Sequence, residues 1–400
     1  MPPSKRFFVV SALLLISMFM RPAAGLAEQE TRPLPEELTT AITHLLALTT
    51  QDRPVVDPEL AGRVVSFVAE APDADYSPPA VEDTTAAFCR FDLPVDLERF
   101  LGYMYNPAIP GQVFSPSSLR TASYLPVAGE IRTPPAVWDL TAARQGPQTI
   151  RVAEHEEITP DQFTGAYYGY DVDRTLILLE HQGRPAFLSV ARQRDVSDVG
   201  KKGAALGSSQ DWDYLYSGEK GLTKTGLGWV DSFMYRAFSI AVYVPPAGQP
   251  QALRCGVLKW LNAGWAGINM VQRHHILAGM ERYIQDLRLL MAAPQLPSAQ
   301  SLGERFAAFG RLSQADLQDR TRTLLGSLHR RYADHPLLDR DTFAAIFDSD
   351  SYVAGLTREQ MLAALGLEAL KCALDRSCQA PEVLLDTERA DSGRPVAVRR

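Results

Sequence analysis

The chain has 400 residues, 46% of them hydrophobic and 22% charged, with a formal net charge of −7. That length allows two domains of ordinary size, each with its own core, and an acidic chain without a sustained basic run lacks the electrostatic footprint of a nucleic-acid binder. Beyond the N-terminus no stretch approaches the roughly eighteen apolar residues of a membrane-crossing helix, so no transmembrane segment is expected in the mature chain.

Lys5 and Arg6 precede an apolar run over residues 7–20, and small residues then lead to Gly25-Leu26-Ala27. A basic start, a short apolar core and a small-residue cleavage site are the layout of a secretory signal peptide. Residues 1–27 are therefore read as a signal peptide, with the periplasm or the extracellular medium as destination. As a helix the run would rise about 21 Å, short of the roughly 30 Å hydrocarbon core, which argues against an uncleaved anchor despite Arg21. No cysteine follows the run, so a lipid anchor has no attachment point. Scarce lysine, seven against 33 arginines, fits a G+C-rich bacterial genome.

Export places four cysteines, Cys89, Cys255, Cys372 and Cys378, in an oxidising compartment. Cys372 and Cys378 are the expected disulfide. On a continuous helix they would lie about 9 Å apart along the axis, too far to bond, so a bridge requires the helix to end near Asp375. Cys89 and Cys255 sit in strand-like segments and either pair or remain buried thiols. Neither pair has the C-x-x-C spacing of a zinc or redox site, and no metal is expected.

Residues 28–83 read as an N-terminal helical segment with a proline-rich linker. One helix is expected over 36–48; another starts at Asp57-Pro58, a capping residue followed by proline in the first turn. "EAPDADYSPPAVED" (70–83) is the linker.

Residues 84–292 read as an α+β domain. "AAFCRF" (86–91), "TLILLE" (175–180) and "PAFLSVAR" (185–192) are strand candidates, the last two joined across His181-Gln182-Gly183 as a hairpin. In "SFMYRAFSIAVYV" (232–244), Phe238, Ile240, Val242 and Val244 share one face, a period-two pattern for a half-buried antiparallel strand. A long helix is expected over 263–291, where Ile276, Met280, Tyr283, Leu287 and Leu290 recur every three or four positions, a stripe that should lie along the sheet. The expected fold class is α+β: a curved antiparallel sheet packed on a long C-terminal helix, followed by a small all-helical domain. By element order alone this resembles the helix-grip, START-like lipid-binding domains, which implies a ligand held between sheet and helix.

After the linker "MAAPQLPSAQS" (291–301), residues 302–382 read as the helical domain, with capping signals at Ser313 and Thr357, and 383–400 as a disordered tail. "FDSDSYVAGLTREQM" resembles an EF-hand loop over 348–359: Asp348, Asp350 and Glu359 take loop positions one, three and twelve. It departs where the loop is strictest, with Tyr352, Val353 and Gly355 at positions five, six and eight. The simpler expectation is a helix ending in aspartates, with Thr357 capping the next.

Among motifs that carry chemistry, Ser217 to Lys220 fits S-x-x-K and Lys224-Thr225-Gly226 fits K-T-G of serine–lysine acyl-transfer enzymes. That chemistry needs serine on a buried helix and K-T-G on a distant strand. Here the two are almost adjacent, Gly218, Gly221, Gly226 and Gly228 oppose any helix, and the S-D-N element is absent. No G-x-S-x-G elbow, P-loop or H-E-x-x-H occurs, so no catalytic residue and no cofactor is assigned. His274 and His275, neighbours on a helix, point about 100° apart and cannot share one ion; His155 and Glu157 share a strand face that reads as solvated.

Residues 163–265 carry fifteen of the 35 Phe, Trp and Tyr. Trp212, Tyr214, Tyr216, Trp229 and Tyr235 are the candidate ligand-binding residues: amphipathic rings that could grip an apolar or sugar ligand while their hydroxyls orient it. The functional expectation is an exported cell-envelope protein, a noncatalytic binder of an apolar or amphiphilic small molecule. Two alternatives stand beside it: an envelope structural module docking a protein partner through 302–382, and a hydrolase of cell-wall sugars using Asp211 and Asp213.

Overall fold

The strands of this chain carry apolar side chains on both faces, and the architecture follows from that. Along the strand Gly169–His181, Leu176, Ile177, Leu178 and Leu179 are all buried, so helices must cover the sheet from two sides. The computed structural model describes residues 31–161, 164–224, 228–338, 341–348, 350–378 and 380–381. The expected signal peptide (1–27) and tail (383–400) lie outside them.

The strands are β1 (Thr85–Leu93), β2 (Leu119–Val127), β3 (Gln148–Ile158), β4 (Gly169–His181), β5 (Arg184–Gln193), β6 (Lys201–Leu206), β7 (Asp213–Lys220), β8 (Ser232–Val244) and β9 (Leu253–Trp265). Seven of them form one antiparallel sheet in the order β1-β9-β8-β5-β4-β3-β2, extended by the two-residue strands Ile268–Asn269 and Glu130–Ile131. The order is linear, without closure into a barrel. Strands β6 and β7 pair with each other and, through β6, with Ala166–Tyr167 in a separate small sheet.

One face of the large sheet packs on α1 (Glu37–Ala47) and α2 (Pro58–Glu70) through Ile177, Leu188, Ile240, Val242 and Trp260. Asp57 caps α2 by accepting from the Glu59 and Leu60 amides, with Pro58 in the first turn, as its sequence requires. Gly256 of β9 makes this contact close: a Cβ there would collide with both methyls of Val68 on α2. The other face packs on α3 (Leu97–Met104) and α4 (Arg273–Ala292) through Phe91, Leu178, Phe187, Tyr243 and Leu253. At the β2 border the Ala122 amide donates to Gln112 Oε1 at 3.2 Å, and Pro126 has no amide hydrogen to offer.

Of the expected α4 stripe, Ile276, Met280, Leu287 and Leu290 are buried, with Ile284 buried beside them, while Tyr283 is half-buried. The start of the helix is not as expected. Residues 263–265 belong to β9, and the left-handed turn at Ala266 and Gly267 (φ 52° and 76°) sends the chain back as Ile268–Asn269 before α4 begins at Arg273.

Helices α5 (Ala299–Phe309), α6 (Gln314–Arg331), α7 (Asp341–Asp348), α8 (Asp350–Ala354) and α9 (Arg358–Ala373) follow. Ser313 and Thr357 cap α6 and α9, the latter in a reciprocal box with Gln360. Leu302, Leu370 and Leu374 enter the same core as α4, so these helices pack directly against the sheet layer. The EF-hand-like segment runs as α8 with Val353 buried; the side chains of Asp348 and Asp350 lie outside the described residues. Helix α9 stops at Ala373, Asp375 takes φ 51°, and Cys372 and Cys378 lie at disulfide distance with Cα atoms 4.7 Å apart. Cys89 and Cys255 are unpaired thiols on adjacent strands, opposite Val257 and Phe91 respectively.

Candidate ligand cavity

Small side chains in register open a gap between the sheet and α4. Ser239 and Ala241 of β8, Ser189 of β5 and Ala122 of β2 face it from the sheet, and Gly279 faces it from the helix. Ala241 stands directly opposite Ser189 across the β8–β5 ladder, so two neighbouring strands are low at the same place. The resulting cavity is about 360 Å³. Its walls are amphipathic, with Tyr105, Tyr124, Tyr243, Tyr283, Met280 and Val257 around it.

The floor is charged. Arg174 donates through Nε to Glu154 at 2.6 Å, through Nη2 to Glu156 at 2.7 Å and through Nη1 to Ser189 at 3.1 Å. Burial opposes the guanidinium's charge, but the two carboxylates outweigh it and hold the Arg174 pKa above its ordinary value. Burial pushes Glu156 up against the attraction of Arg174, and pushes the adjacent Tyr170 hydroxyl well up, with Glu156 adding to the shift. Lys259 of β9 borders the same space. Burial lowers its pKa, partly offset by Glu156. Groups perturbed in this way around a cavity make it a candidate functional site.

The five aromatic candidates are arranged differently. Tyr214 and Tyr216 share a face of β7 with ring centroids 6.2 Å apart, and together with Trp212 they line a second space of about 90 Å³ against α6, α8 and α9. Arg120 stacks over Tyr216 at 4.0 Å. Trp212 precedes the strand at φ 55° and donates Nε1–H to Asp286 at 2.9 Å. Tyr235 lines neither space; its hydroxyl accepts from the Gly267 amide at 2.8 Å. The Trp229 side chain lies outside the described residues. Tyr170 and Tyr243, the latter with its β8 neighbours Ser239 and Ala241, join the aromatic-rich region to the larger cavity.

The remaining candidates are committed elsewhere. Asp213 is buried against Lys371 Nζ at 2.6 Å and accepts from the Tyr332 hydroxyl at 2.8 Å, while Asp211 accepts from Ser208. Ser217 sits on β7, not on a helix, and donates to the Lys202 carbonyl. His275 accepts from the Gln272 amide as part of the α4 cap. Glu157 pairs with Arg120, whereas His155 contacts Asp171. On the opposite face Ser66 Oγ lies 2.7 Å from His181 Nε2. Ser66 is in the body of α2, where backbone amides are occupied by the helix, and among the described residues no carboxylate hydrogen-bonds the other ring nitrogen. Such a pair lacks both the orienting acid and the oxyanion donors of acyl transfer.

Sequence reasoning missed the charged floor, although a signal was there. Arg174 lies between Val172 and Leu176, and Lys259 between Val257 and Leu261, at the parity of inward-facing positions in otherwise apolar strands. A charge there must be paired or must face a cavity. Comparison with protein-family models and with curated proteins finds no match for the chain.

Proposed function

We propose that this is an exported cell-envelope protein that binds an amphiphilic small molecule, without catalysis, in the space between the sheet and α4. The observation that carries this reading is the cavity itself: about 360 Å³, made by small residues aligned across two strands and opposed by a helix glycine. Its size falls in the roughly 300–1,000 Å³ range of small-molecule sites. Its lining combines tyrosine rings and aliphatic groups with a few polar atoms, the composition of sites that bury a tail and orient a head. The order of sheet followed by long helix resembles the helix-grip plan and supports the same reading. Burying about 400 Å² of apolar ligand surface would gain roughly 10 kcal/mol before ordering costs, enough for micromolar affinity.

The test is direct. Purified mature protein should displace or bind a hydrophobic reporter dye at one site and retain small amphiphiles in native mass spectrometry. Gly279→Leu, which points a side chain into open space, should remove both signals while leaving the fold intact. A protein that takes up no amphiphile in either assay would refute the reading. Sequencing the exported chain should give Glu28 as its first residue.

A further inference from the structure

Most polar groups around the cavity are already spoken for. Arg174 uses all three guanidinium nitrogens on Glu154, Glu156 and Ser189, and the hydroxyls of Tyr243 and Tyr283 meet at 3.3 Å. Two groups differ. Lys259 and Ser239 stand directly opposite each other across the β9–β8 ladder, and both border the cavity. Among the described residues neither the Lys259 ammonium nor the Ser239 hydroxyl has a hydrogen-bond or ion-pair partner. Lys259 is half-buried, and burial penalises its charge with no acceptor in contact to offset the cost. An adjacent hydroxyl supplies a second donor aimed into the same volume.

We propose that the ligand is an acid: an amphiphile whose single carboxylate is received by Lys259 Nζ and Ser239 Oγ, with its apolar tail against Val257, Met280 and Leu119. This rests on the cavity-binding reading above and names its ligand class. A cationic head is disfavoured because both glutamates are committed to Arg174. A doubly charged head such as a phosphate monoester is disfavoured because Glu154 and Glu156 lie on the same floor. At roughly 30 Å³ per liquid-packed group, the cavity holds on the order of a dozen non-hydrogen atoms, the size of a ten-carbon acid.

The experiment uses full-length mature protein and three probes that share one tail: decanoate, decanol and decyltrimethylammonium, titrated calorimetrically near neutral pH. Decanoate should bind at least tenfold tighter than decanol. Lys259→Met should weaken decanoate tenfold or more while changing decanol less than twofold. Should Lys259→Met fail to fold, Ser239→Ala, a smaller change, should still weaken decanoate severalfold and spare decanol. Equal binding of decanoate and decanol, or preference for the ammonium, overturns the acid assignment and leaves the cavity reading standing. Binding of none of the three overturns both.

Discussion

Asp286 shows how one side chain can tie three segments together at an electrostatic cost. From α4 it accepts the Ser117 amide at 2.8 Å, the Ser117 hydroxyl at 2.5 Å and the Trp212 indole at 2.9 Å. Burial raises its pKa to about 6, against the lowering by those donors. The folded state therefore holds the proton more tightly than the unfolded chain does. The contribution of this group to stability is fullest below about pH 4 and is lost as pH rises from about 4 to 6. Measured by urea unfolding, the stability of the natural protein relative to Asp286→Asn should fall by roughly 2 kcal/mol between pH 4 and pH 7. A difference that stays flat with pH would contradict the assignment. Residue-scale features were the least legible in the sequence. Trp212, Tyr214 and Tyr216 stood out by bulk, yet bulk marks packing as readily as recognition. Several residues that border the larger cavity are conspicuous only for being small or for carrying charge where neighbours of the same parity are aliphatic.

At the scale of elements, two glycines should answer the same substitution with opposite signs. Gly279 lies within α4, and an added methyl would find nothing closer than the tip of Arg282 at 4.0 Å. Gly279→Ala should stabilise the protein by about 0.5–1 kcal/mol, the usual helix preference for alanine. Gly256 of β9 faces Val68, and Gly256→Ala should destabilise by about 1–3 kcal/mol by forcing α2 off the sheet. Thermal or chemical melts of both variants settle the pair, and like signs would refute the packing argument. Elements with a clean period were legible: the 232–244 strand, the hairpin across Gly183, the α4 stripe and the caps at Asp57, Ser313 and Thr357. Strand β9 was legible only around Cys255, because Gly256, Lys259 and Asn262 interrupt its apolar run. Its hairpin end was absorbed into the predicted helix because nothing in "NAGWAGIN" announces that an alanine takes the left-handed turn ahead of the glycine.

The whole molecule is a sheet covered on two sides, α1–α2 on one and α3–α4 on the other, with the later helices locked to the second layer. The α+β class was legible from the mixture of period-two and helical segments. The second helical layer was not placed, because a strand apolar on both faces says only that something covers it. Leu302, Leu370 and Leu374 share a core with α4, and buried Lys371 pairs with Asp213 of β7. A chain truncated after residue 301 should therefore lose cooperative unfolding and bind dyes specific for exposed apolar surface. A truncated chain that melts as sharply as the full one would show the sheet region to be independent. Removal of Lys371 alone would cost buried Asp213 its nearest cation, leaving it the Tyr332 hydroxyl and Arg331 at 3.6 Å, a loss of about 1–3 kcal/mol.

The border of the sheet at β2 has a bearing on self-association. There a glutamine carboxamide occupies the Ala122 amide and a proline removes another donor, so the row of main-chain groups that a sister copy would need for strand addition is interrupted. A chain folding at high local concentration thus presents a poor template for fibril growth along this rim.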